Sequence, residues 1–237
     1  MQSVSRNRHR QPKPKNIPDV LPIPKPSAPP PTFTARSKQQ AAIFAAYRTN
    51  DLLILTGPPD SSKTFSACLL AWWDVMAGVR DRIVVYRPAV SADEDLGFAP
   101  GTYAEKLAPW VEPVMESFTK IAGKDNRDLK HILECKSLGQ ARGLTFERTT
   151  VIVTEAQNCT ASQLRLVTTR LGQGSKLVIE GDPGQCDLPK GKSGLLTAIQ
   201  KVRGLPGVAC MELTEEPAGT PNTRHPLVRL IVKAWPN

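Results

Sequence analysis

Aromatic residues are scarce in this sequence, at 5% of 237 positions. No ladder of them is spaced for stacking on successive bases, the device of many single-strand nucleic-acid binders. Long apolar runs are missing as well. None approaches the roughly 18–20 residues that span a bilayer, so no membrane association is expected. At the N-terminus, prolines follow the basic residues where a secretory signal would place an apolar segment, which makes a cytoplasmic location the expected one. The five cysteines (Cys68, Cys135, Cys159, Cys186, Cys210) form no C-x-x-C pair, and the three histidines stand apart from one another and from the cysteines. That spacing excludes a clustered zinc site or a disulfide framework and points to reduced thiols. No internal repeat is visible. What remains is an ordinary globular composition, 40% hydrophobic and 22% charged, long enough for one sizeable core.

Acidic residues are nearly absent from the first 38 positions. Eight basic residues (Arg6, Arg8, Arg10, Lys13, Lys15, Lys25, Arg36, Lys38) face one acid, Asp19, so this stretch holds +7 of the net charge of +9. The remaining +2 identifies no partner by itself. Prolines crowd the same region, with Pro29, Pro30 and Pro31 in succession. Proline removes backbone donors and favours extended chain, so residues 1–35 read as a disordered, basic, proline-rich tail. Such a tail is either a solvated linker or an arm for nucleic-acid phosphates. Residues 36–237 read as one folded domain.

Within that domain, helices alternate with short apolar strands. Ser37 caps a helix running to about Arg48, and strands are predicted over 52–56, 82–86, 151–154, 176–180 and 208–213. Further helices are predicted over 63–76, 104–121, 127–133, 161–171, 193–201 and 226–234, with Pro109 and Pro113 breaking or kinking the 104–121 helix. Near-continuous apolar strands alternating with helices predict a single α/β core with a largely parallel sheet flanked by helices.

The first strand runs into Gly57-Pro58-Pro59-Asp60-Ser61-Ser62-Lys63-Thr64 and then into a helix. Strand, loop and helix start, with Lys-Thr at the junction, form a phosphate cradle: backbone N–H groups and the helix dipole favour polyphosphate. Lys63 is expected to reach the β- and γ-phosphates of ATP, and the Thr64 hydroxyl to bind Mg²⁺. The G-x-x-x-x-G-K-[ST] pattern has glycine where Ser62 stands, so phosphate binding is expected to be weakened rather than abolished. Asp60 adds a carboxylate that repels phosphate unless it points outward.

A second motif, Val151-Ile152-Val153-Thr154-Glu155-Ala156-Gln157-Asn158, is an apolar strand ending in an acid. The usual pattern has Asp before that Glu, to hold the Mg²⁺ shell, while the Glu activates water. Thr154 occupies the Asp position here and is expected to act on the metal only weakly, through a water. Glu155 remains the candidate catalytic base.

Seven pieces in this order resemble the PhoH family of phosphate-starvation-inducible P-loop ATPases, from about Gln40 to the C-terminus. They are the cradle, Arg87-Pro88-Ala89-Val90 with Leu96-Gly97-Phe98-Ala99-Pro100-Gly101, Arg142-Gly143-Leu144-Thr145, and Glu155-Ala156-Gln157-Asn158. Thr169-Arg170-Leu171-Gly172, Gly181-Asp182-Pro183-Gly184-Gln185-Cys186-Asp187-Leu188-Pro189 and Arg224-His225-Pro226-Leu227-Val228 complete the set.

The resemblance implies an ATPase with a RecA-like P-loop NTPase core, similar to the first core of superfamily 1 helicases. It implies an adenine contact by Gln40, and γ-phosphate sensing by Gln185 with Asp182. Arg87, Arg142, Arg170 and Arg224 are either surface charges or groups for transition-state or nucleic-acid phosphates, with Arg170 carried as a catalytic candidate. Leu144 stands where the family has arginine, and His225 reads as structural. With one core only, an arginine finger must come from a neighbouring subunit, so a homo-oligomer, a hexamer by the resemblance, is expected. Three functions stay open: a Mg²⁺-dependent ATPase on RNA or single-stranded nucleic acid, a nucleotide-binding scaffold without hydrolysis, and a tail that simply binds nucleic acid.

Overall fold

The structure is a computed structural model, and it describes residues 32–88, 103–123 and 129–216, with single positions at 227, 230, 231 and 234. Most of the proline-rich tail, Ala89-Val90, the 96–101 motif, and Arg224, His225 and Pro226 with most of the 226–234 helix therefore lie outside the described residues.

Ser37 opens the first helix, α1 (Lys38–Thr49), its hydroxyl accepting from the Gln40 amide at 3.0 Å. Ile43 and Tyr47 turn into the core from this helix. Then follow β1 (Leu52–Thr56), α2 (Lys63–Met76), β2 (Arg82–Arg87) and α3 (Tyr103–Ala122). Next come α4 (Leu129–Ile132), β3 (Leu133–Ser137), β4 (Thr149–Val153) and α5 (Ala161–Thr168), and last β5 (Lys176–Gly181), α6 (Leu195–Val202) and β6 (Val208–Glu212).

The six strands form one sheet in the order β3-β2-β4-β5-β1-β6, and every pairing is parallel. Parallel strands need crossovers, which place helices on both faces. Period-2 alternation divides the core accordingly. Leu53, Leu55, Ile152 and Val178 pack with α1, α2 and α3 on one face. Ile54, Val151, Val153, Leu177 and Ile179 pack with α5 and α6 on the other. The single α/β core with helices on both faces is thus as the apolar runs predicted.

Two predicted elements differ. The 127–133 helix is only one turn, α4, and Leu133 begins a strand instead. β3 is an edge strand, half-buried along its length, and it alternates apolar residues with Glu134 and Lys136. Edge strands tolerate such charge, and that hid the strand in the sequence. The second difference is α3, which runs through Pro109 and Pro113 as one 20-residue helix. The prolines are four apart, so the lost hydrogen bonds fall on one side. Val114 and Phe118, both buried in the α2 face of the core, anchor the helix beyond them.

Candidate nucleotide-binding site

The carboxyl ends of β1, β4 and β5 meet at one edge of the sheet, where ligands bind in open α/β folds. A cleft of about 460 Å³ lies there, lined by Pro59 to Thr64, Glu155, Glu180, Gly181, Asp182 and Gln185, with Pro113, Glu116, Ser117 and Lys120 of α3 across it. The two sequence motifs, about 90 residues apart, therefore share one cavity.

The cradle is built for close approach. A Cβ on Gly57 would lie 2.5 Å from the Leu213 carbonyl oxygen, because Leu213 N–H donates to Thr56 O at 2.6 Å. Only glycine fits there. Lys63 Nζ donates to Gly57 O and Pro58 O, both at 2.7 Å, and to Ser61 Oγ at 3.2 Å. Ser61, almost fully buried, in turn donates to Pro58 O at 2.7 Å.

Ser62 precedes α2 in a left-handed conformation, φ 62°, and its side chain caps nothing. This is the position where the usual pattern has glycine, and a left-handed residue is what glycine supplies without strain. Asp60 is left-handed too, φ 59°. The Ser62 side chain does not cap the first N–H groups of α2, and the first residues of that helix, Lys63, Thr64 and Phe65, line the cleft. A helix N-terminus without a side-chain cap, a lysine and a threonine hydroxyl together fit a polyphosphate with a divalent cation.

Opposite, Glu155 sits in a left-handed conformation, φ 52°, at the end of β4. Its carboxylate is held by Gln157, whose Nε2 donates to Glu155 Oε2 at 2.6 Å. Gln157 does more than that. Its Oε1 accepts from the Asp182 amide at 3.0 Å, and its Nε2 also reaches Gln185 O at 3.3 Å. A Cβ on Gly181 would lie 2.6 Å from that same Oε1, which requires the glycine. Asn158 closes the joint by donating to Asp187 Oδ2 at 2.7 Å and accepting from Asp187 N at 2.8 Å. The Glu155–Asn158 turn and the Gly181–Asp187 turn are thus clipped into one rigid wall.

Thr64 Oγ1 donates to Glu180 Oε1 at 3.0 Å. Burial, and after it the neighbouring Glu155 carboxylate, push the Glu180 carboxyl up to about 7, against the pull of Lys63, the Thr64 hydroxyl and Arg87. Sequence reasoning passed over Glu180 and Gln157. The signal for Glu180 was present, an acid as the last polar residue of an apolar strand just before Gly181-Asp182.

The structure gathers Pro59, Asp60, Ser61, Ser62, Lys63, Thr64, Glu155, Asp182 and Gln185 around the cleft, with Gly57 and Pro58 behind Lys63. Asp182 spends Oδ1 on the Gly184 amide, 2.9 Å, which shapes its turn. Thr154, at the end of β4, is buried with Oγ1 unpartnered among the described residues. Gln40 is not brought to the cleft. It is 4% exposed, and its Oε1 accepts from Arg36 N at 2.7 Å as part of the α1 cap. Its neighbour Gln39 reaches the cradle instead, Nε2 donating to Ser61 O at 3.3 Å and to Thr214 O at 2.9 Å. Arg170 is also elsewhere, lining a surface hollow with Arg142 and Arg165 on the α5 side. Leu144 is exposed.

The chain is similar to known proteins. The family profile described as PhoH-like protein matches residues 32–236. A PhoH-like protein of Bacillus subtilis is 38% identical over 208 residues, covering 86% of this chain and 64% of its own length. The protein PhoH of Escherichia coli is 38% identical over 173 residues, 70% of this chain and 49% of its own. The chain thus spans less than two thirds of these curated relatives. Among solved structures, the large terminase of a thermophilic bacteriophage superposes with a TM-score of 0.55 at 13% identity, covering 85% of this chain and 50% of the terminase. A second crystal form of that terminase, in complex with ADP, gives 0.52 at 14% identity. That likeness concerns the fold alone, and it is consistent with a RecA-like P-loop NTPase core. The match over residues 32–236, with the cradle and the clipped Glu155 turn on one cleft, places this chain in the PhoH family.

Proposed function

We propose that the cleft binds ATP with Mg²⁺ and hydrolyses it, and that the work is done on RNA or single-stranded nucleic acid by a cytoplasmic homo-oligomer, a hexameric ring. The observation that carries this reading is the placement of Glu155, fixed by Gln157 at 2.6 Å, on the same cleft as Lys63 and Thr64. The α2 N-terminus and Lys63 bind and orient the phosphates. Lys63 must exchange its carbonyl partners for phosphate oxygens, and its flexible stem permits that. Glu155 takes a proton from the attacking water. Gln185 and Asp182, carried on the wall clipped to Glu155, sense the γ-phosphate. Thr64 would hold a Mg²⁺ ion, with Thr154 assisting through a water, and the ion would supply charge neutralisation on the phosphates. Arg170, remote from the cleft of its own chain, serves as a group for a neighbouring subunit's site or for nucleic acid.

A second reading, a nucleotide-binding scaffold with little hydrolysis, is favoured by one observation. Ser62, in the cleft lining, and Thr154, buried just after β4, both depart from the usual pattern, one strained and one uncharged. Turnover measured with and without RNA across a Mg²⁺ titration separates the two. The ATPase reading expects Lys63→Ala and Glu155→Gln to lose turnover. Equal rates in wild type and both variants leave only the scaffold. For the oligomer, size-exclusion chromatography with light scattering decides, and a fully active monomer would sink the ring.

A further inference from the structure

Position 154 carries a hydroxyl where the motif usually carries a metal-handling carboxylate, and the strand beside it ends in a carboxylate that the mechanism above does not use. β4 and β5 run in parallel register, Ile152 opposite Val178 and Val153 opposite Ile179. Ile152 and Val178 share the core layer against α2. Two residues further on, strand alternation turns Thr154 and Glu180 toward that same face. Glu180 also pairs across to β1, opposite Leu55, just before the cradle begins. It stands on the strand between the cradle strand and the Glu155 strand.

Both groups are buried, Thr154 to 2% exposure and Glu180 to 3%, and Glu180 lines the cleft. Among the described residues Thr154 Oγ1 has no partner, and the one hydrogen bond of the Glu180 carboxylate comes from Thr64 Oγ1 at 3.0 Å. Lys63 and Arg87 attract that carboxylate, but among the described residues neither forms a salt bridge with it, and a carboxylate held in the interior is costly unless a cation compensates it closely. The direction of that hydrogen bond matters as well. Thr64 gives its hydrogen to Glu180, so its oxygen lone pairs are left for a cation. Among the described residues no group of three or more His, Cys, Asp or Glu side chains is placed to hold a metal. A site of one carboxylate and a hydroxyl is compatible with Mg²⁺. That ion is usually held by one or two carboxylates together with phosphate oxygens and waters.

We propose that Glu180 carries the metal-facing charge that position 154 lacks, so that the acid of the Mg²⁺ site has moved one strand over, from the end of β4 to the end of β5. Thr64 supplies a ligand oxygen, Glu180 orients it and balances the ion's charge, and the Thr154 hydroxyl accepts or donates to a metal-bound water. The inference rests on the cleft being a nucleotide site, and its test separates the two claims.

The test is titration of the full chain with a fluorescent ADP, in Mg²⁺ and in EDTA, with ADP-dependent Mn²⁺ binding followed by electron paramagnetic resonance. Glu180→Gln is expected to weaken metal affinity about 10- to 100-fold. Its affinity for ADP in EDTA should equal or exceed that of wild type, because a negative charge near the phosphates is gone. The exchange variant, Thr154→Asp with Glu180→Thr, is expected to bind Mn²⁺ with ADP again. Wild-type metal affinity in Glu180→Gln would overturn the inference. Should that variant not fold, an exchange variant that binds ADP in EDTA yet ignores the metal overturns it equally. Lys63→Ala reports on the nucleotide site itself. If it binds ADP as wild type does in EDTA, the nucleotide reading falls and the inference with it. If Lys63→Ala loses ADP while Glu180→Gln keeps its metal, only the inference fails.

Discussion

At the amino end of the strands, buried charges are matched to one another, whereas at the carboxyl end polar groups are held around a cleft with their chemistry left available. Asp74, 4% exposed, accepts from Tyr47 and pairs with Arg80, and Thr150 lies 3.5 Å away. Lys176 donates to Tyr47 O and sits 4.2 Å from the Tyr47 ring centroid. Burial, followed by Arg80, pushes that lysine down to about 8. The opposite edge has left-handed Asp60, Ser62 and Glu155, the Thr154 hydroxyl with no partner among the described residues, and a buried carboxylate held up near 7. One end consolidates the sheet. The other keeps strain and free valence where a ligand can use them.

The largest effect expected of a single change falls on the consolidating end. Asp74→Ala leaves Arg80 without its salt-bridge partner and takes away one of the two carboxylates, with Asp51, that attract Lys176; it should lower unfolding stability by about 3–5 kcal/mol. Chemical denaturation measures this, and nucleotide affinity of the folded protein should stay at the wild-type value. A matching loss of affinity would erase the distinction between the two ends.

A smaller effect sharpens it from the site side. Cys159 lies directly behind the Glu155 turn, fully buried, with its carbonyl accepting from Gly194 N at 2.7 Å. Burial pushes its thiol up to about 12 from an ordinary value of 9.0. Between those values the unfolded chain has released the proton while the folded one keeps it. Stability is therefore full below pH 9 and falls as pH rises, by about 1.4 kcal/mol per pH unit for one such thiol. Cys135, pushed to about 11 by burial, adds a similar slope. Melting curves of Cys159→Ala across pH 8–11 should show the shallower decline; identical slopes would place its ionisation outside the folded core.

The smallest expected effect is a gain. Ser62→Gly relieves a left-handed backbone but loosens the unfolded chain, for a net stabilisation of about 1 kcal/mol or less. It should tighten nucleotide binding in the same variant. Stabilisation without tighter binding would mean that Ser62 strains the loop without crowding the phosphates.

The cradle and the strands around it were legible because their signals are contiguous. Leu52 to Thr56 is five buried residues in a row, and the Lys-Thr junction follows on the same piece of chain. The cap of α1 was legible for the same reason, since Ser37 and Gln40 are one turn apart. What stood next to the cradle was not. Gln40 has the right residue type, yet the helix phase turns its amide into the cap and gives Gln39 to the cradle loop. β3 hid behind Glu134 and Lys136, which an edge position tolerates.

By itself, then, the sequence determined the parts whose physics is local: strand alternation, helix capping, the glycine-bounded loop and the acid-ended strand. Tertiary structure alone decided which parts face each other. Thr64 and Glu180 are 116 residues apart, and they touch only because β5 takes the place between β1 and β4. The same order brings Gln157 to the Asp182 turn and clips Glu155 in place. Strand order is set by how the whole core packs, a long-range property that no window of the chain contains.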